Sequence, residues 1–227
     1  MRNADILQSL TLLRQAGLPV EDVLDVGVQY GTPALMKVYG DKLHHLFEPV
    51  EDYFPKIRSN YSAIRHELIH AAVSDKDAEA LLHSERKTSS GQVSHSWITA
   101  IETSSSRRVP TLQLDTYVAS ARPTSPMLLK IDVEGATVPA AILRGAAATL
   151  SKCSAVVIEM TVDRWFERAA LLDGAGFDLW DLTALSYYGG CLWQFDAVYV
   201  ERSHKKLLPN LQPIHQHPFE MSRWQQG

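Results

Sequence analysis

The sequence predicts an α/β fold: a mostly parallel sheet of seven strands with helices on both faces and an antiparallel last strand. Three observations predict it. Short apolar runs alternate with helical segments along most of the chain, which is typical of βαβ units. The first apolar run leads into a glycine-bearing turn, as strands do where an open sheet binds a ligand at its carboxyl edge. The last two apolar runs flank Gly189 and Gly190, which predicts a closing hairpin.

Composition limits the kind of protein this is. The chain has 227 residues, 45% hydrophobic and 21% charged, enough apolar material for one sizeable core. A net charge of -4 gives no basic surface, so we expect no nucleic-acid partner. No uncharged apolar run approaches the roughly 18 residues of a membrane span, so we expect no membrane partner and a cytoplasmic location. Cys153 and Cys191 lack the spacing of metal ligands, and we expect no metal site.

The first element is a helix over residues 4–16, whose apolar side chains share one face and which ends before Pro19. We assign residues 1–20 to this helix and its packing on the sheet. Residues 21–201 form the main domain, and residues 202–227 form a C-terminal tail without periodicity.

The first strand covers about residues 23–27, and its carboxyl end carries a candidate ligand loop. Asp25 ends the apolar run, and Gly27, Gln29 and Gly31 follow in the turn. Glycine lets a backbone approach a ligand closely because it has no Cβ. These four residues are therefore candidates for binding a cofactor. The alternative is an ordinary βα turn.

A helix over about 32–39 leads to the second strand, whose carboxyl end carries Glu48. This residue lies 48 − 25 = 23 positions after the acid of the first strand. An acid about 20 residues beyond a glycine turn is placed to accept hydrogen bonds from a ribose diol. After a further helix, a third strand ends near Val73, and the loop carrying Ser74 and Asp75 would face an adenine ring.

Residues 85–110 follow a short extra strand and are polar and rich in serine. The stretch is too long for a plain connection and too poor in apolar residues for a core element. Long loops of this kind are functional lids or disordered segments, and both interpretations stay open. His95 lies here, where a lid would close over an acceptor, and imidazole titrates near neutral pH. His95 is therefore a candidate catalytic base.

The second half of the chain continues the alternation. TLQLDTYV predicts a short helix, and MLLKIDVEGA predicts the central fourth strand, which delivers Asp132 and Glu134 to the sheet edge. A helix over TVPAAILRGAAATLSK follows, and then a fifth strand, SAVVIEM, which ends at Glu159. The helix RWFERAALLDGAG, the strand FDLWDL and the last strand LWQFDAVYVE complete the domain.

Several of these pieces resemble the FkbM family of S-adenosylmethionine-dependent methyltransferases. The likeness covers about residues 5–201 and is most specific in LLKIDVEGA. The pieces that carry it are DVGVQYG at 25–31, FEP at 47–49, AAVSD at 71–75, LLKIDVEGA at 128–136 and ILRGA at 142–146, with TLQLDTYV and LWQFDAVYV. The chain departs from the family pattern at three positions: Val28 and Gln29 replace the Ala and Asn of DVGANxG, and Thr137 replaces the acid that usually follows EGA.

The resemblance implies a class I methyltransferase (Rossmann-like) sheet, S-adenosylmethionine as the cofactor, and O-methylation of a sugar or of a secondary metabolite. It implies that Asp25 orients the glycine loop or meets the amino group of the cofactor. A small molecule or a glycan is then the expected acceptor. The sequence does not define the oligomeric state, and a homodimer stays open.

Asp132 and Glu134 have several interpretations. A carboxylate at the end of the central strand can bind the cofactor's ammonium group, act as a general base on a hydroxyl, or hold a divalent ion. Capping the next helix is the structural alternative for Asp132. We favour cofactor contact for Asp132 and name both acids as catalytic candidates.

Two other functions compete with methyl transfer. An NAD(P)-dependent oxidoreductase has a similar sheet, but its pyrophosphate needs G-x-G-x-x-G at a helix N-terminus, and the turn here is G-x-x-x-G. A non-catalytic module that binds the cofactor would keep the same sheet. Turnover of an acceptor distinguishes that module from an enzyme.

Overall fold

A computed structural model describes residues 5–86, 93–99 and 102–208, and within these it describes only the backbone of residues 85, 86 and 93–95. The strands, in chain order, are β1 (Asp22–Val26), β2 (Leu43–Phe47), β3 (His66–Ile69), β4 (Ala72–Val73), β5 (Ala78–Arg86), β6 (Val93–Thr99), β7 (Ser106–Leu112), β8 (Met127–Ile131), β9 (Cys153–Thr161), β10 (Phe177–Tyr188) and β11 (Cys191–Glu201).

The helices are α1 (Ile6–Gln15), α2 (Pro33–Tyr39), α3 (Phe54–Asn60), α4 (Leu114–Ala121), α5 (Val138–Arg144), α6 (Ala147–Leu150) and α7 (Trp165–Gly174). Two short 3-10 helices cover Glu51–Tyr53 and Arg202–Leu207. Among the helices of the described residues, none has both the length and the apolar character that crossing a bilayer requires.

The main sheet has seven strands in the order β10-β11-β9-β8-β1-β2-β3. The five strands from β9 to β3 are parallel, whereas β11 runs antiparallel to both β9 and β10. The predicted parallel sheet with an antiparallel last strand is thus confirmed. The hairpin of β10 and β11 places the last strand between β10 and β9, inside the sheet.

Helices cover both faces of the main sheet, so its central strands are apolar on both sides. On one face, Leu10, Leu13 and Leu35 of α1 and α2 are buried against Val23 and Val157 and other strand residues. On the opposite face, the buried partners come from α4 to α7, and the strands contribute the alternate residues, which include Leu24, Ile131 and Ile158. This division follows from the two-residue period of a strand.

The helix α1 is tied to the domain at both of its ends. Asp5 caps its first turn by accepting a 2.7 Å hydrogen bond from the backbone N–H of Gln8. Near its last turn, Arg14 forms a salt bridge with Asp41. Leu10, between the two ends, is fully buried, so α1 packs as part of the core that covers one face of the sheet.

The predicted third strand is wrong in its extent. It divides into β3, which pairs with β2 in the main sheet, and β4, which pairs with β7 in a second sheet of order β4-β7-β5-β6. The backbone turns between the two strands, where the N–H of Ala71 donates to the carbonyl of Ile69. Each half therefore pairs with a different neighbour, which the apolar pattern of the stretch does not reveal.

The stretch 85–110 is not one long loop, because it contains β6 and the beginning of β7. Leu82 of β5 and Val109 of β7 are buried against Leu46 and Tyr53 of the main domain. An antiparallel sheet with one solvated face needs an apolar residue only at every second position. A serine-rich stretch can therefore form strands although it has too few apolar residues for a doubly covered sheet.

The long helix predicted after the fourth strand is divided at Gly145 into α5 and α6. A Cβ at this position would lie 2.7 Å from the carbonyl oxygen of Ser74. The helix therefore breaks where the loop after β4 packs against it. TLQLDTYV is also divided, because its first residues belong to β7 and α4 begins at Leu114.

Candidate active site

A cavity of about 320 Å³ lies at the carboxyl ends of β1, β2 and β8, and residues of β5 and β6 form one of its walls. This is the edge at which open α/β sheets bind ligands, and the volume lies in the range of small-molecule sites. The lining residues come from the main sheet and its loops (Val26, Gly27, Gln29, Phe47, Glu48, Pro49, Val50, Tyr53, Ala71, Asp132, Val133, Glu134 and Val138) and from the second sheet (Ala72, Val73, Leu82, Ser96, Trp97 and Ile98).

Glu48 lines this cavity and is only 3% exposed. Its Oε2 accepts a hydrogen bond from the backbone N–H of Gln29, and its Oε1 accepts one from that of Val50, both at 2.8 Å. The two bonds orient the carboxylate, and each oxygen keeps a further lone pair for a ribose hydroxyl. Burial raises the pKa of Glu48 to about 7, against the effect of these two bonds.

We expect Glu48→Ala to weaken the binding of S-adenosylhomocysteine by about 100-fold, because hydrogen bonds to a charged group contribute about 1.5–3 kcal/mol each. Isothermal titration calorimetry measures the affinity. The matched control is Glu51→Ala, which removes an exposed carboxylate from the next turn of the chain. Equal affinity in the Glu48→Ala variant and the wild type would contradict this role.

The raised pKa of Glu48 also predicts a pH dependence. Ribose hydroxyls donate best to the ionised carboxylate, so affinity for S-adenosylhomocysteine is expected to fall as the pH drops below about 7. The stability of the unliganded protein changes with pH in the opposite direction. Because folding raises the pKa of Glu48 from 4.5 to about 7, the free energy of unfolding decreases as the pH rises from about 4.5 to about 7. Tighter binding over that range therefore cannot reflect better folding. A Glu48→Gln variant should give a flat profile in the same titration.

The glycine turn has a structural role beside the predicted one. Gly27 has a φ of +83°, and a Cβ there would lie 1.9 Å from the carbonyl oxygen of Asp132. Gln29 also has a positive φ, 52°, which directs its N–H toward Glu48. Gly31 packs against Tyr61 and Met36. Gly27 and Gln29 thus line the cavity, whereas Gly31 lies outside its wall.

Asp25 and Asp132 flank a buried lysine that the sequence analysis did not single out. Lys130 Nζ lies 3.0 Å from Oδ2 of Asp132 and 3.5 Å from Oδ1 of Asp25. Burial by itself lowers the pKa of Lys130, but the two carboxylates outweigh burial and raise it. Asp25 is fully buried and also accepts a hydrogen bond from the hydroxyl of Tyr61. Asp25 thus lies buried beneath the cavity and binds Lys130, while Asp132 lines the cavity itself.

Asp132 and Glu134 line the cavity, and the side chain of Asp132 is 46% exposed. The backbone N–H of Asp132 donates to the carbonyl of Val26, which fixes the end of β8 against β1. Among the described residues, no group of three or more His, Cys, Asp and Glu side chains is arranged to hold a metal ion. Oδ2 of Asp132 is paired with Lys130, and the half-exposed side chain also lines the cavity.

The remaining predicted site residues lie elsewhere. Ser74 hydrogen-bonds to Asp75, and the backbone N–H of Ser74 donates to Leu112, so this loop is held against β7 and Gly145 and not in the cavity wall. His95 belongs to β6, opposite Glu85 of β5, and its side chain is outside what the structure describes. Ser96 and Trp97, which follow it, line the cavity.

Two further acids lie beyond Asp132 at the carboxyl edge of the sheet, and strand register shows that they are neighbours. Ile131 of β8 pairs with Ile158 of β9, so Glu159 follows in line with Asp132. Asp196 of β11 pairs directly with Glu159. Burial, and after it the nearby carboxylate of Asp132, raise the pKa of Glu159 to about 7 and that of Asp196 to about 6. The position of Glu159 at a strand end was the only signal in the sequence.

The chain is similar to an rRNA methylase of known structure from Streptococcus thermophilus (15% identity, 88% of this chain and 98% of that one, TM-score 0.49). It is also similar to fibrillarin from Aeropyrum pernix with natively bound S-adenosyl-L-methionine (12% identity, 83% of this chain and 74% of that one, TM-score 0.46). Similarity to EvdMO1 (14% identity, TM-score 0.47) covers 86% of this chain but 41% of that one.

No curated protein matches the chain. The model of the methyltransferase FkbM domain matches residues 25–206, a range that includes the glycine turn, Glu48, Asp132 and the final hairpin. The predicted class I methyltransferase sheet, the enzyme class and S-adenosylmethionine as the cofactor are confirmed. The cavity fits this cofactor, since a buried carboxylate at the end of β2 and a glycine turn at the end of β1 share its wall. The chain belongs to the FkbM family of S-adenosylmethionine-dependent methyltransferases.

Proposed function

We propose that this methyltransferase transfers the methyl group to a hydroxyl oxygen of a sugar or of a secondary metabolite. The observation that supports this acceptor chemistry is that Asp132 and Glu134 line the same cavity as Glu48. A hydroxyl must lose its proton when its oxygen is methylated, and carboxylates at the reacting edge can orient the hydroxyl and receive that proton.

The residues of the chain divide the work along the sheet edge. Glu48 binds the ribose hydroxyls, and Gly27 and Gln29 lie along the methionine side of the cavity. Bound S-adenosylmethionine supplies the methyl group as an electrophile on a sulfonium. Asp132 binds the ammonium group of the cofactor or the acceptor hydroxyl, and Trp97 on β6 limits access of water from the second sheet. Alignment of the two reactants supplies the largest share of the acceleration.

The net charge of the chain bears on the kind of acceptor that the enzyme binds. A net charge of -4 does not favour nucleic acid, so the acceptor is a small molecule or a glycan. The enzyme needs neither a membrane nor a metal in this proposal. It acts in the cytoplasm, either as a monomer or as a homodimer.

The test uses S-adenosylmethionine with a labelled methyl group and two panels of acceptors. One panel contains mono- and oligosaccharides with free hydroxyls, and the other contains matched acceptors with only amine or thiol groups. We expect label to appear on a hydroxyl-bearing acceptor and to be lost when that hydroxyl is replaced by hydrogen. Label on amines alone would contradict the proposal. Calorimetry with a reduced nicotinamide cofactor, which should not bind, checks the oxidoreductase alternative.

A further inference from the structure

The carboxyl edge of the main sheet carries one continuous polar row. Strand register aligns Glu48 after β2, Gly27 after β1, Asp132 after β8, Glu159 in β9 and Asp196 in β11. Neighbouring strands lie about 4.8 Å apart, so Glu159 is one strand spacing beyond the acid that lines the cavity. The row thus continues past the cofactor cavity, on the side opposite to Glu48.

At this edge, one carboxylate oxygen of Glu159 accepts a hydrogen bond from a side chain of β11. Oε2 accepts a 2.9 Å hydrogen bond from Nε2 of Gln194. Arg168, which is 1% exposed, donates to the backbone carbonyls of Glu159 and Ala136 and so joins the end of β9 to the loop after β8. The side chain is half-buried, so the carboxylate is fixed in place and still reaches solvent.

A buried hydroxyl lies at the far end of the row. Thr183 of β10 pairs with Asp196, so the two side chains lie on the same face of the sheet. Thr183 is fully buried, and its Oγ1 has no hydrogen-bond partner in the described part of the chain. A buried polar atom without a partner is rare and calls for a bound water or ligand group. Thr183, Asp196 and Glu159 therefore form a polar group, here called the polar subsite, that continues the row beyond the residues lining the cavity.

We propose that this subsite binds the hydroxyl groups of the acceptor and that Glu159 is the base that receives the proton of the methylated hydroxyl. This proposal rests on the proposed function. In the step, Glu159 takes the hydroxyl proton while the acceptor oxygen forms its bond to the methyl carbon and the carbon–sulfur bond breaks. The electron pair of that bond stays on sulfur, which becomes a neutral thioether.

The charged groups around Glu159 suit this role. Asp132, Glu134 and Asp196 repel its negative charge, and Arg168 only partly offsets them. Burial and these acids raise the pKa of Glu159 to about 7. A base with a pKa near the working pH is ionised in a large fraction of molecules and still holds a proton well.

The test compares the binding of two cofactor analogues and needs no acceptor. S-adenosylhomocysteine has no methyl group, whereas sinefungin carries an amine-bearing carbon in place of the methyl sulfonium. A base beside the transferred methyl should meet the ammonium of sinefungin directly or through one water. We expect Glu159→Gln to bind S-adenosylhomocysteine within about twofold of wild type and sinefungin about tenfold more weakly. Glu79→Gln, at an exposed position on β5, is the matched control and should change neither affinity.

The outcomes distinguish the role of Glu159 as the base from the existence of the cofactor site. Unchanged sinefungin affinity in Glu159→Gln, or an equal loss for both ligands, would overturn the role of Glu159 and leave the methyltransferase proposal intact. Failure of the wild type to bind either ligand would instead refute the cofactor site and the inference with it.

A second measurement on the wild type needs no variant. The affinity for sinefungin divided by the affinity for S-adenosylhomocysteine should fall as the pH drops through about 7, because Glu159 becomes protonated there. Glu48 contacts the ribose common to both ligands, so its titration cancels in the ratio. A ratio that stays constant across this range would contradict the proposal.

Discussion

Lys130→Met is expected to destabilise the protein by about 3–5 kcal/mol, the cost of breaking a buried ion pair by removing one partner. Lys130 Nζ lies between the fully buried Asp25 and the half-exposed Asp132. Without the ammonium group, the hydrogen bond that Asp25 keeps among the described residues is the long one from Tyr61, at 3.4 Å, so the buried carboxyl group loses its ion pair. Urea unfolding followed by circular dichroism measures the loss.

Two further variants separate this cause from simple loss of a lysine. Lys42→Met removes a surface salt bridge to Glu21 and should cost no more than about 1 kcal/mol. Adding Asp25→Asn to Lys130→Met removes the unpaired charge and should recover at least half of the lost free energy of unfolding. The electrostatic explanation fails if Lys130→Met costs as little as Lys42→Met, or if the double variant shows no recovery.

Gly27→Ala is expected to cost about 4 kcal/mol in the free energy of unfolding, in the range of severe overpacking with backbone strain. The new Cβ would lie 1.9 Å from the carbonyl oxygen of Asp132. That backbone cannot retreat easily, because the N–H of Asp132 donates to Val26 and holds β8 against β1. The positive φ of +83° adds a conformational penalty of about 1–2 kcal/mol.

Gly17→Ala is the matched control for this prediction. Gly17 has nearly the same φ, +82°, but a Cβ there would have no heavy atom within 4 Å. Gly17→Ala should therefore show only the conformational penalty, and Gly27→Ala should cost at least about 2 kcal/mol more. If both variants lose the same free energy of unfolding in the same urea titration, the close approach to Asp132 does not contribute to the loss.

Much of the cofactor side of the site could be predicted from the sequence, because it follows from local order along the chain. A parallel strand delivers its last residues to one edge of the sheet, so Asp132 and Glu48 could be placed there from the apolar runs before them. Ser74 and Asp75 were placed by the same reasoning, but the strand before them divides at Ala71. The loop after it packs on Gly145 and does not line the cavity.

The acceptor side could not be predicted in this way. Glu159 and Asp196 are 37 positions apart (196 − 159 = 37), and they are neighbours because β11 inserts between β10 and β9. In the sequence, Lys130 is a single charged residue within the apolar run MLLKI. Its position between two acids depends on the pairing of β8 with β1. Each of these relations depends on strand register, which is set by packing of the whole sheet.

The family, the alternation of strands and helices along the chain and the residues at the ends of β1, β2 and β8 could be read from the sequence. These depend on motifs and on apolar periodicity within short windows, which neighbouring residues are enough to define. The folded structure was required to establish that 85–110 contributes strands to a second sheet and that a Cβ at position 27 would collide with the backbone of Asp132. The strand register was required to show that an acid of β9 continues the row of the cofactor site. The physical reason is that contacts between distant segments are selected by the packing of the complete core, and no short window of sequence contains both partners.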